Sequence, residues 1–187
     1  IAPNPYVTKE VYDAFINGIM NPTLEGIKAE GMNFAGVIFF GLMITDKGVY
    51  LLEYNMRMGD PETQVVLPLL ESDFIELLES GLKGDLANAD VKWSNKSACC
   101  VVLASGGYPE AYNKGYEITG IDKVDNMVFV AGAKAEDGKL LTSGGRVLNV
   151  VAVGENLEDA RAKAYADAEK IDFTGKYCRK DIGVLYR

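Results

Sequence analysis

Glu53, Asn55 and Arg57 stand at alternate positions where an apolar run ends, in Leu52-Glu53-Tyr54-Asn55-Met56-Arg57. Side chains on a strand alternate faces, so Glu53 and Asn55 project the same way, roughly 6.5–7 Å apart along the backbone. A carboxylate and an amide offer hard oxygen donors, which suit Mg²⁺ better than zinc or copper. Magnesium held by few protein ligands keeps positions for water and nucleotide phosphates. Arg57 adds a permanent cation that can grip phosphate or carboxylate. A Glu-x-Asn taken alone more often marks a strand meeting solvent, so the weight falls on its setting.

That setting is two apolar runs, Gly36 to Thr45 and Val49 to Tyr54, joined by Asp46-Lys47-Gly48. They read as a β-hairpin, and their nearly continuous apolar character predicts cover on both faces. Upstream, Thr8 is a candidate cap for a helix from Lys9 to about Met20, which Pro22 kinks or restarts and Gly31 ends. Downstream, Asp60 reads as an N-cap with Pro61 at the first helical position, and Ser72 as the cap of a helix to about Leu82. Beyond a polar stretch from Gly81 to Asp90 the pattern turns to strands: Ala98 to Ala104, Val128 to Ala135 and Val147 to Val153. Asn156 caps a last helix to about Lys170, with Leu157, Ala160, Ala164 and Ala168 on one face. Gly144-Gly145-Arg146 reads first as a turn before a strand. The expected class is α+β, with the second part mostly antiparallel.

The hairpin, Arg57 and Gly59-Asp60-Pro61-Glu62-Thr63-Gln64 resemble the end of the ATP-grasp domain of the phosphoribosylamine–glycine ligase (glycinamide ribonucleotide synthetase) family. The resemblance continues, in order, through Gly106-Gly107-Tyr108-Pro109, Gly144-Gly145-Arg146-Val147-Leu148, Ala164-Tyr165 and Cys178-Arg179-Lys180-Asp181-Ile182-Gly183. It implies residues 1–86 as the C-terminal part of an ATP-grasp domain and 87–187 as a small α+β C-terminal domain. It also implies ATP-dependent joining of glycine to 5-phosphoribosylamine in purine biosynthesis, giving glycinamide ribonucleotide, ADP and phosphate. Glu53 and Asn55 would then hold Mg²⁺ (or Mn²⁺) on the ATP phosphates. Arg57 would steady phosphate or carboxylate charge, and Asp60 and Glu62 would orient glycine or its partner. One departure from the wider superfamily is the lack of any carboxylate between Glu30 and Asp46, where many ATP-grasp enzymes carry a further acidic ligand near the position of Gly41. The alternatives are another carboxylate–amine ligase of purine synthesis and a non-catalytic module of the same fold.

Composition sets outer limits. The 187 residues are 48% hydrophobic with a net charge of −8, and a pI near 4.7 disfavours a phosphate-backbone binder. No apolar run reaches membrane-spanning length and no signal peptide is visible. Histidine is absent, which excludes Ser-His-Asp and Cys-His catalysis and leaves carboxylates, cations, amides and a borrowed metal. Phosphoryl transfer asks for little more. Of the three cysteines, Cys99 and Cys100 fall on opposite faces of one strand and read, like Cys178, as small packing residues; cytosol is the expected compartment. The Pro-rich opening, Ile1-Ala2-Pro3-Asn4-Pro5-Tyr6, reads as an internal loop. The chain is thus expected to be the C-terminal portion of a longer enzyme, depending on the rest of that polypeptide and inactive alone.

Overall fold

A computed structural model describes residues 1–185. The chain forms two compact units and passes between them four times: one comprises Ile1–Pro3, Asp60–Glu71 and the chain from Trp93 onward, the other Asn4–Gly59 and Ser72–Lys92.

The unit of Asn4–Gly59 and Ser72–Lys92 begins with helix α1 (Lys9–Phe15), whose N-cap Thr8 accepts from the Val11 amide. A π-helical turn (Ile16–Met20) follows, then α2 (Asn21–Ala29) with Pro22 in its first turn. There the missing proline N–H costs no intrahelical bond. Strands β1 (Phe39–Thr45) and β2 (Gly48–Asn55) form the hairpin. Its register slips between Gly41 and Leu42: Gly41 pairs with Glu53 but Leu42 with Leu51, leaving Leu52 as a bulge. The aromatic rings of Phe15, Phe40 and Tyr54 stack edge-to-face, at centroid distances of 5.1 and 5.6 Å. They seat one hairpin face on α1. The opposite face, with Met43, Tyr50 and Leu52 about half exposed or more, is open within this unit, contrary to the expectation of cover on both sides. Helix α4 (Phe74–Lys83) completes this unit.

In the other unit, α3 (Glu62–Val66) leads into a 3₁₀ turn at Leu67–Leu69. Strands β3 (Ser97–Ser105), β4 (Met127–Val130), β5 (Ala133–Glu136), β6 (Lys139–Thr142), β7 (Arg146–Gly154) and β8 (Lys176–Tyr177) follow, with α5 (Leu157–Lys170) between the last two. A four-stranded sheet runs β4-β7-β3-β8, and β5-β6 forms a separate hairpin; every pairing is antiparallel. Cys99, Val101, Leu103 and Val150 face α5, whose Ala160, Ala164 and Ala168 bring helix and sheet close. Cys100, Ala98 and Val151 face Val65 and Leu69 on the other side. The adjacent cysteines therefore serve two cores, as strand alternation requires.

One cap and one strand differ from what the sequence predicts. Asp73, rather than Ser72, caps α4, accepting from the Ile75 and Glu76 amides at 2.8 and 3.1 Å. The Ser72 hydroxyl instead donates to Asp90 O and accepts from the Lys92 amide. The run Val128 to Ala135 is also broken in two. At Gly132 a Cβ would stand 2.6 Å from Gly144 Cα, so two backbones meet there and the strand cannot continue flat.

Asp167 is 1% exposed. It accepts from the backbone of Asp125 and Asn126, from the Asn126 amide group at 2.7 Å, and pairs with Lys170 at 2.8 Å. Burial pushes its carboxyl up, but Lys170 and these donors outweigh it and bring the pKa down to about 2, from 3.8. The shift is worth about 2 kcal/mol, fully present above the ordinary value and lost as pH falls through the lowered one. Unfolding free energies of wild type should therefore drop by about that amount between roughly pH 4 and pH 2. Denaturant titrations of Asp167→Asn should lack this step; an equally steep fall in the variant would refute the assignment.

Candidate functional site

The bulge decides which way the site points. Before it, Val49 and Leu51 lie on the helix side; after it, Tyr54 and Met56 do, since Leu51, Tyr54 and Met56 together line an apolar cavity of about 560 Å³ against α2. The phase shift turns Glu53 and Asn55 to the open face. Tyr54 is fixed between them by the Phe40 ring and by a 2.8 Å contact between its hydroxyl and that of Thr23. Across the hairpin, a Cβ on Gly41 would fall 2.8 Å from Glu53 Cγ. The absence of a side chain at Gly41 is what lets Glu53 lean over that position.

The three polar groups form a relay. Asn55 Nδ2 donates to Glu53 Oε1 at 3.1 Å, and Asn55 Oδ1 accepts from Arg57 Nη2 at 3.0 Å. Arg57 Nη1 donates to Met58 O at 2.9 Å. Glu53 keeps a second carboxylate oxygen for another partner. The Asn55 amide turns its nitrogen to the carboxylate and its oxygen to the guanidinium, and a half-turn exchanges the two. One carboxylate and one amide oxygen fit a hard divalent cation that takes its other ligands from water or phosphate. Among the described residues no three His, Cys, Asp or Glu side chains gather as a metal site, so a cation here would rest on these two protein oxygens.

Asp60 and Glu62 belong to the other unit. Asp60 is not the N-cap of α3. Pro61 occupies that place, without a side-chain cap, while Glu62 lies in the first helical turn, where its charge suits the helix dipole. The Asp60 carboxylate is taken elsewhere: Oδ1 accepts from Gln64 Nε2 at 2.9 Å and Oδ2 from Arg146 Nη2 at 3.3 Å. Arg146 Nη1 also donates to Asp60 O at 2.8 Å. Among the described residues no donor reaches the buried Gln64 Oε1, while the amide nitrogen is held on Asp60. In the sequence Gly144-Gly145-Arg146 reads as a turn, and nothing local singles out a role for Gln64. Arg146 was legible only as the one long cation in a Gly-rich loop.

Beneath α3, Cys100 is a poor nucleophile. Burial above all, with the Asp60 and Glu62 charges adding, pushes its thiol up to about 12, and the thiolate is the reactive form.

Residues 1–63 match the family described as phosphoribosylglycinamide synthetase, ATP-grasp (A) domain, and residues 98–185 match phosphoribosylglycinamide synthetase, C domain. A phosphoribosylamine–glycine ligase of Fusobacterium nucleatum is 57% identical over 191 residues, covering 100% of this chain and 45% of that protein. The crystal structure of the phosphoribosylamine–glycine ligase of Thermotoga maritima superposes with a TM-score of 0.81 at 41% identity, over 97% of this chain and 44% of that one. The biotin carboxylase domain of a thermophilic 2-oxoglutarate carboxylase shares the fold, with a TM-score of 0.61 at 14% identity, over 97% of this chain and 43% of its own. The chain thus spans a little under half the length of these relatives.

Proposed function

Because the chain belongs to the phosphoribosylglycinamide synthetase family, we propose that the whole protein joins glycine to 5-phosphoribosylamine in purine biosynthesis, with ATP converted to ADP and phosphate. Residues 1–86 are then the end of the ATP-grasp domain and 87–187 the C domain. The observation that carries the reading is the hydrogen-bonded series Glu53, Asn55 and Arg57 on the open face of the hairpin.

Glu53 and Asn55 would hold Mg²⁺ or Mn²⁺, which neutralises phosphate charge when bound. Arg57, already fixed on Met58 O and Asn55, holds its charge beside these oxygens, where it steadies a phosphate or the glycine carboxylate. Attack of that carboxylate on the γ-phosphate gives an acyl phosphate, which the sugar amine captures as phosphate leaves. Asp60 and Glu62 orient glycine or the amine; both carboxylates are acceptors for N–H groups. The compartment in this reading is the cytosol, where thiols stay reduced. No helix among the described residues is long and apolar enough to cross a membrane.

The test is an ADP-release assay on the full-length protein. Release should require glycine and phosphoribosylamine together. Turnover with a different carboxylate–amine pair would instead favour another ATP-grasp ligase, and no turnover with any pair a non-catalytic module.

A further inference from the structure

We propose that Arg146 is a positioning residue: its guanidinium sets the Asp60-Pro61-Glu62 turn, and through that turn the substrate's amine-bearing end. The second half of this statement rests on the role given above to Asp60 and Glu62.

Arg146 starts from a rigid place. Its carbonyl accepts from the Gly132 amide at 2.7 Å, Ser105 N donates to Gly145 O at 2.8 Å, and Ser105 Oγ donates to Gly144 O at 2.9 Å. A Cβ on Gly145 would lie 2.1 Å from the Tyr108 ring, so the preceding residue is packed without slack. From this base the side chain reaches a residue 86 positions away and takes hold of it twice, at the carbonyl and at Oδ2. Gln64 holds the remaining carboxylate oxygen. Backbone and side chain of Asp60 are thereby fixed together, while the carboxylate stays 48% exposed and each oxygen retains acceptor capacity.

Stability is not a sufficient reason for this arrangement. Arg146 and Asp60 are 39% and 48% exposed, and ion pairs that wet contribute little to folding. A planar, two-pronged donor instead confers direction. Lysine at the same place keeps the charge and loses the fork.

The experiment uses the full-length protein with Arg146→Lys, Arg146→Ala, Asp60→Ala and the Asp60→Ala/Arg146→Ala pair. Two readouts are taken: steady-state kinetics for each substrate, and amide hydrogen exchange of the segment 62–64. Both Arg146 variants should lower kcat/KM for glycine or the amine about 10-fold and leave KM for ATP unchanged. Arg146→Ala should also speed exchange in 62–64, and the double variant should be no worse than Asp60→Ala alone. Additive losses would overturn the proposal, since Arg146 would then act on substrate by itself. Unchanged exchange in Arg146→Ala would overturn it as well. If wild type shows no glycine-dependent ADP release, the functional reading fails, while the exchange measurement still decides whether Arg146 sets the turn.

Discussion

Glu53→Gln in the full-length protein is expected to lower kcat by on the order of 10²-fold, about 3 kcal/mol in activation free energy, with a change in folding stability within about 0.5 kcal/mol. The fold is spared because Glu53 is exposed on the hairpin's open face, and a glutamine Oε1 can still accept from Asn55 Nδ2 as the carboxylate now does at 3.1 Å. Under the proposed metal role catalysis is not spared, because the variant removes the anionic partner of the two-oxygen set. Charge developing on a transferring phosphoryl group is then neutralised less well, and electrostatic stabilisation is usually the largest catalytic contribution. Asn55→Asp keeps an oxygen and adds charge, so it should do less damage and shift the optimal magnesium concentration. The decisive measurement is kcat for Glu53→Gln at saturating magnesium; a value near wild type would end the metal assignment.

Leu103→Ala should cost about 3–4 kcal/mol of folding free energy. Leu103 is 0% exposed, among the largest fully buried side chains, and lies in the core between the sheet and α5. Strand β3 pairs with β7 along nearly its whole length and with β8 at Ala104 and Ser105. The neighbours therefore cannot easily collapse into the space left, and the cavity adds to the lost transfer free energy. Denaturant unfolding of the variant should show this loss. Val130→Ala, at a position 58% exposed on β4, should stay within about 0.5 kcal/mol. A loss below 1 kcal/mol for Leu103→Ala would mean that this core is far more plastic than its packing implies.

What the sequence made legible was local. The hairpin, the Asn156 cap, accepting from Asp159 N at 3.0 Å, the alanine face of α5 and the split allegiance of Cys99 and Cys100 all follow from neighbours a few residues apart. What it hid depends on distant partners. Asp60 has the chemistry of a cap, yet Arg146 takes its carboxylate. Ser72 and Asp73 are both good caps, and the choice is made by Asp90 and Lys92, which occupy the Ser72 hydroxyl. The break at Gly132 needs Gly144 to be seen. The family resemblance lies in short motifs, which these long-range contacts leave intact.

The bulge at Leu52 makes the hairpin a counting device. An extended chain assigns each residue to one of two sides by odd or even position, and one surplus residue exchanges the assignment for all that follow. Glu53 and Asn55 therefore owe their side less to their own chemistry than to the number of residues between them and the Gly48 turn. Two constraints on variation separate as a result. The identity of residue 52 is nearly free, since its side chain is 62% exposed. The length of the segment is not: losing or gaining one residue between Gly48 and Glu53 would carry the carboxylate to the helix side and bring Tyr54 out in its place. For this stretch, spacing constrains the fold more tightly than spelling.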